Sequence, residues 1–142
     1  MRTRRRRNER GAALIEAAVT IPLLLLISVA IFEFGRAYQT WQVLTNAARE
    51  GARVAVIAGT SDQVVTDAVR NYMNVGRLPL ANSAPIVIDR GAALGPNTGS
   101  QVTINYPFEF MVIGPIARMI NPTSSTGSAL TMSAVAIMRN EN

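Results

Sequence analysis

A run of apolar residues near the N-terminus constrains this chain more than any other feature. Residues 12–32 read AALIEAAVTIPLLLLISVAIF and carry one charge, that of Glu16. As a helix rising 1.5 Å per residue, the run would be about 30 Å long, which matches the hydrocarbon core of a bilayer. The sequence therefore predicts one transmembrane helix over residues 12–32.

The excess positive charge is confined to the residues before this run. The chain carries a formal net charge of +5, and beyond residue 10 its acidic and basic residues balance. Arginines beside an apolar span hold their side of the chain in the cytoplasm and attract anionic lipid. The sequence thus predicts a single-pass protein of the cytoplasmic membrane, N-terminus in and C-terminus out, with membrane lipid as a partner. The topology residues are Arg2, Arg4, Arg5, Arg6, Arg7 and Arg10.

Composition excludes several function classes. A nucleic-acid binder would carry its positive charge on a folded face, so no nucleic-acid partner is expected. The chain has no Cys and no His, which removes disulfides, thiol nucleophiles, His-ligated metals and Ser-His-Asp triads. The acids beyond the interface are scattered without a motif, so we expect no enzyme, no cofactor, no metal and no small-molecule substrate. These acids are Asp62, Asp67, Asp89 and Glu109.

The first helix is predicted to continue beyond the membrane, over about residues 12–58. Residues 33–58 contain no Pro, and Gly59 is a plausible C-cap. Glu33 and Arg36 are spaced to pair on one helical face. A mostly apolar stripe recurs at helical spacing, and its aromatic members suit the membrane–water interface. The stripe is Phe34, Tyr38, Trp41, Thr45, Ala48, Ala52 and Val56.

The rest of the chain predicts a small α+β domain. A second helix is expected over 62–74, with Thr60 and Gln63 spaced as a capping box and a stripe made by Val65, Ala68, Val69 and Tyr72. Residues 77–85 and 121–128 read as loops, 91–100 as a turn or loop, and 111–120 as a short helical turn. Strands are predicted at 86–88, 101–106 and 130–139.

This order predicts a three-stranded antiparallel sheet with the helices on one face. Tyr106, Phe108, Phe110 and Met111 are assigned to its core. The domain organisation is then a basic leader over 1–11, a transmembrane helix over 12–32 and an exported domain over 33–142.

The start of the apolar run carries a second signal. Gly11, four residues and then Glu16 resemble the processing site of class IV prepilins. The resemblance implies cleavage after Gly11, with Ala12 as the new N-terminus. A carboxylate within a bilayer costs on the order of 3 kcal/mol. A cation on a neighbouring subunit, such as a new α-amino group, would favour the ionised form of Glu16.

A wider pattern extends this resemblance. Pro22 before a Leu run, Glu33-Phe34-Gly35-Arg36 and residues 47–53, AAREGAR, resemble the TadE-like minor pilins or pseudopilins of the tight-adherence (Flp) pilus system. The resemblance implies a pilin-like fold in the bacterial inner membrane, with three partners: a prepilin peptidase, the assembly platform and pilin subunits. It assigns helix packing and assembly to Glu16, Pro22, Arg49, Glu50, Gly51 and Arg53.

Other interpretations stay open. The AAREGAR segment is equally compatible with ordinary docking of the exported domain on the helix. The whole chain is compatible with a permanently anchored exported binding module that is not cleaved. A conventional signal peptide cut after Ser28-Val29-Ala30 is less favoured, because Glu16 would interrupt its apolar region. The N-terminal residue of the protein isolated from membranes distinguishes the processed prepilin, the uncleaved anchor and the signal peptide.

Overall fold

The computed structural model describes the backbone of residues 3–120 and 129–140, and the side chains of residues 11–119 and 129–140. The predicted loop 121–128, Arg2 and the side chains of the other five leader arginines lie outside the described residues. The elements are α1 (Thr3–Ala55), α2 (Asp62–Val75), β1 (Ile86–Leu94), β2 (Asn97–Phe108), α3 (Ile113–Ile120) and β3 (Leu130–Arg139).

The long first helix is confirmed, with different bounds. α1 is unbroken over 53 residues, a length of about 80 Å. It begins at Thr3 rather than near residue 12, because the leader has no Pro and one Gly costs a helix only about 1 kcal/mol. It ends at Ala55, and Gly59, with φ of +80°, lies in the following turn instead of at the cap.

The second helix is confirmed, but its cap differs from the predicted one. Ser61, not Thr60, is the N-cap, and its hydroxyl accepts a hydrogen bond from the Val64 N–H at 3.5 Å. The Gln63 amide does not close a capping box, since it donates to Asp67 at 2.9 Å. On the predicted stripe Tyr72 is largely exposed, and the buried side chains of α2 are Val65, Val69 and Met73.

The three strands form one antiparallel sheet in the order β1-β2-β3, as predicted. The first two strands are longer than expected, so the prediction of a loop over 91–100 was wrong. Residues 92–94 pair with 97–99, and the turn itself is tight, with Gly95 at a φ of +60°. The pairing register of the two strands shifts between Asp89 and Ala92, the stretch that contains Gly91. The predicted α+β fold class is confirmed.

One face of the sheet packs on the outer half of α1, and α2 also packs on α1. The core is formed by Leu44, Val65, Val69, Met73, Val102, Ile104, Tyr106 and Phe108 together with small alanines. The aromatic members of the predicted α1 stripe do not face the core: Phe34, Tyr38 and Trp41 are 76, 62 and 48% exposed. The buried face instead passes through Glu33, Thr40 and Leu44.

The aromatic residues after β2 divide between core and surface. Tyr106 and Phe108 are buried as predicted, and Phe110 is half-buried with its ring edge-on to Phe108 at 5.3 Å. Met111 was wrongly assigned to the core, because it is 62% exposed just before α3. The chain has already left the sheet at this point.

The direction of β2 relates the two ends of the domain to the two ends of the outer half of α1. At its start, Ser100 approaches the Ala55 carbonyl at the far end of α1. At its end, the Phe108 ring lies under the Arg36 guanidinium, 5.1 Å from centroid to carbon. β2 thus runs antiparallel to the outer half of α1, and the residues after it return to the point where the apolar run ends.

Candidate functional site

The predicted processing residues lie on one continuous helix. Gly11, Ala12 and Glu16 are all exposed on α1. Ala12 and Glu16 are four residues apart, so they share one face of the helix. No atom outside the local helix comes within 4 Å of the position that a Gly11 side chain would take. The described structure therefore leaves this segment open to another molecule.

The apolar half of α1 has no covering within the described chain. Its large side chains stand exposed from Leu14 to Phe32. The helix continues through Pro22, and further on the Ser28 hydroxyl is satisfied by donating to the Leu24 carbonyl at 2.8 Å. Among the described residues, α1 is the one helix long and apolar enough to cross a membrane. This helix indicates a membrane anchor.

The small residues of the AAREGAR segment face the interior of the domain. Ala47, Ala48, Gly51 and Ala52 are buried. A Cβ added at Gly51 would lie 2.5 Å from Val69 Cγ2 of α2 and 3.2 Å from Val102 Cγ1 of β2. Gly51 thus permits close approach of α1 to both elements. Its small size serves the packing of the chain itself.

The charged residues of the same segment face outward. Arg53 donates from Nε to Glu50 at 2.9 Å, and its terminal nitrogen also contacts that carboxylate. The hydrogen bond from Arg53 lowers the pKa of Glu50 below its usual value, while partial burial acts in the opposite direction. The same hydrogen bond raises the pKa of Arg53. Arg49 is exposed and contacts the Asn46 side-chain oxygen at 3.4 Å.

The predicted Glu33–Arg36 pair is present, and both residues also bind the backbone of the segment after β2. Glu33 is fully buried and lies 3.3 Å from Arg36. Its other oxygen accepts a hydrogen bond from the Val112 N–H. Arg36 also donates to the Glu109 carbonyl at 3.0 Å. This junction fastens the segment after β2 to α1, directly beyond the apolar run.

Sequence reasoning missed Arg90, whose hydrogen bonds hold separate elements together at the opposite end of the domain. Its guanidinium donates to Asp62 at 2.9 Å and to the carbonyls of Ala55 and Thr60 at 2.7 Å each. It thereby ties the end of α1 to the start of α2. No local pattern points to these contacts, because the partners lie 28 to 35 positions away.

A groove of about 600 Å³ lies between α1, the loop after α2 and the segment following β2. Arg36, Arg77 and Arg118 line it together with aromatic and proline side chains. Within the described residues, no group of three or more His, Cys, Asp or Glu side chains is placed to hold a metal ion. The described residues thus present exposed helix surfaces, one groove and two polar junctions.

The comparison with known protein families supports the resemblance seen in the sequence. Residues 11–53 match the model of the TadE-like protein family. The match starts at Gly11 and ends two residues before the end of α1. No curated protein and no solved structure matches the chain.

Proposed function

We propose that this chain, TadE-like over residues 11–53, is a minor pilin or pseudopilin that takes part in assembly of a tight-adherence (Flp, type IV-like) pilus. The family match points to a protein associated with that system. One observation carries the proposal: the matched segment coincides with a single helix that holds the Gly11 site, the exposed apolar run and the face on which the domain packs.

In this proposal, a prepilin peptidase cuts after Gly11 and leaves Ala12 as the N-terminus. The α-amino group then formed would titrate near pH 8 and carry a positive charge at neutral pH. Glu16 is exposed on α1, so the carboxylate can pair with such a cation on a neighbouring subunit. The exposed apolar side chains of α1 would supply the surface on which the helices of neighbouring subunits pack. The folded domain lies outside the cytoplasm, since the leader arginines hold the N-terminus inside.

The proposed partners follow from this role: the peptidase, the inner-membrane assembly platform and the pilin subunits. A non-enzymatic role is supported by how the acids of the domain are used. Asp62 pairs with Arg90, Asp67 accepts from Gln63, and Asp89 accepts from the Gly91 N–H at 2.9 Å. Each is engaged in a polar contact of its own; Asp62 and Asp67 lie on α2, and Asp89 lies on β1.

The N-terminal residue of the protein isolated from membranes tests the proposal. A mature chain starting at Ala12, seen as an intact mass lacking residues 1–11, supports it. A start at Met1 would favour the second candidate, a permanently anchored binding module. The groove lined by three arginines would then be its candidate binding site. A start at Ile31 would indicate an ordinary signal peptide.

A further inference from the structure

The short helix α3 lies at a defined height on α1. Its first turn is preceded by Val112, whose N–H donates to the Glu33 carboxylate. Glu33 directly follows the apolar run, which ends at Phe32. The start of α3 is therefore held at the level where the anchor leaves the hydrocarbon core of the membrane.

The outward side of this region is apolar. Ile116 and Met119 are 50 and 85% exposed. Ile116 and Met119 are three apart and share one face of α3. Gly114 is buried, and Arg118 lines the groove on the other side. α3 thus carries its one charged residue, Arg118, at the groove, and an apolar face, with Ile116 and Met119, that no described residue covers.

We propose that the apolar face of α3 lies in the interfacial layer of the same membrane that holds α1. Ile116 and Met119 would enter the boundary between headgroups and acyl chains, while Arg118 stays on the domain side. An amphipathic helix with apolar residues on one face and a cation on the other is suited to that position. The inference rests on residues 12–32 being the membrane anchor.

The height of α3 favours lipid over a second protein chain as the occupant. Lipid would surround the anchor of an isolated subunit at the level of Glu33, so the exposed face of α3 would be covered before any assembly. A helix of eight residues is also too short to be stable by itself in water. Contact with an interface would stabilise it.

Single cysteines test the inference, because the chain has no Cys of its own. Met119→Cys, labelled with the fluorophore NBD, is reconstituted as the full chain in vesicles that contain phosphatidylglycerol and brominated lipid. Leu24→Cys, within the anchor, is the positive control. Asn97→Cys is the negative control: it lies at the β1–β2 turn, near the end of α1, about 33 Å from Glu33 along the helix. Val135→Cys tests an exposed apolar position on the sheet.

The expected result is a blue-shifted emission at position 119 and a loss of fluorescence to brominated lipid that approaches the loss at 24. Labels at 97 and 135 should keep their fluorescence. Quenching at 24 with none at 119 would overturn the interfacial position of α3 and leave the anchor intact. A blue shift at 119 without quenching would mean that protein covers the face, and would also overturn it. Absence of quenching at 24 would overturn the anchor and the inference together.

Discussion

The backbone N–H of Val112 donates a hydrogen bond to the carboxylate of Glu33, which lies 79 positions earlier in the chain. Glu33 is fully buried, and Arg36 beside it binds both this carboxylate and the Glu109 carbonyl. The carboxylate therefore closes the domain at its membrane end. A residue at the edge of an apolar span, where an acid would ordinarily face water, is here part of the fold.

Replacing Glu33 with Ala should destabilise the domain. The change removes the acceptor of the Val112 N–H and the counter-charge of Arg36, a loss of about 1–3 kcal/mol. For a domain of this size, each kcal/mol lowers the unfolding midpoint by about 4–8 °C. Thermal unfolding of the full chain in detergent measures the effect. Glu33→Gln keeps an oxygen acceptor and should lose less; an unchanged midpoint in Glu33→Ala would contradict the role of the junction.

Gly51→Ala and Gly35→Ala should have opposite effects on stability. A methyl group at residue 51 would collide with Val69, and overpacking of this kind costs about 1–3 kcal/mol. No atom outside the local helix lies within 4 Å of a Cβ at residue 35, so Ala there should stabilise α1 by up to about 1 kcal/mol. The unfolding midpoints of the two variants decide this, and a rise for Gly51→Ala would show that the packing is looser than the structure has it.

Replacing Gly11 with Leu should block removal of residues 1–11. The proposed cleavage follows Gly11, and a bulky side chain there would obstruct a peptidase that accepts glycine. Intact mass of the membrane fraction compares this variant with wild type. The conservative exchange Ala13→Ser, two residues beyond the cut, is a control that should still be processed. Normal processing of Gly11→Leu would remove the assigned site.

Glu16→Gln should prevent assembly while leaving membrane insertion intact. The substitution keeps size and polarity but removes the charge that we propose pairs with a cation on a neighbouring subunit. Co-purification with pilus components and pilus yield are compared at equal membrane levels. Cleavage is checked in both proteins, since lost processing would also reduce the yield. Unchanged yield with normal processing would leave Glu16 as an interfacial residue without an assembly role.

A reporter active only outside the cytoplasm should be active when fused after Asn142. The leader carries six arginines, whereas the first ten residues beyond Phe32 carry only Glu33 and Arg36. The positive-inside rule then places the domain outside. Replacing the leader arginines with Gln should reduce this activity, and activity of a cytoplasmic reporter in the wild-type fusion would reverse the topology.

Periodicity made the architecture predictable from sequence, but it could not assign every helix face. The apolar run, the alternation in β2 and β3 and the glycines between elements predict an α+β fold with three antiparallel strands. The structure confirms this fold. Near the membrane, the apolar stripe of α1 does not mark its inward face, because Phe34 and Trp41 are apolar yet exposed. Beside a bilayer, an apolar residue need not face a protein core, so hydrophobic spacing loses its meaning there.

The long-range polar contacts were beyond sequence reasoning for a different reason. Spacing of three residues predicts a pair such as Glu33 with Arg36, since both lie on one helix. It says nothing of Val112 or of the contacts of Arg90 with Ala55 and Thr60, whose approach depends on where the sheet is seated. The processing residues, in turn, make no distant contact that could have tested their role, and they stay a prediction.

The unbroken course of α1 has a mechanical consequence. Sharp bends in helices occur at Pro, at Gly/Ser pairs and at bulges, and residues 23–55 contain no Pro. The last three turns of the helix are also built into the domain through Leu44, Ala48 and Ala55. A pull or a rotation applied to the helix beyond Pro22 therefore reaches the sheet with little lost to bending. In the assembly that we propose, subunits that pack on the anchor would therefore also set the spacing and orientation of the folded domains.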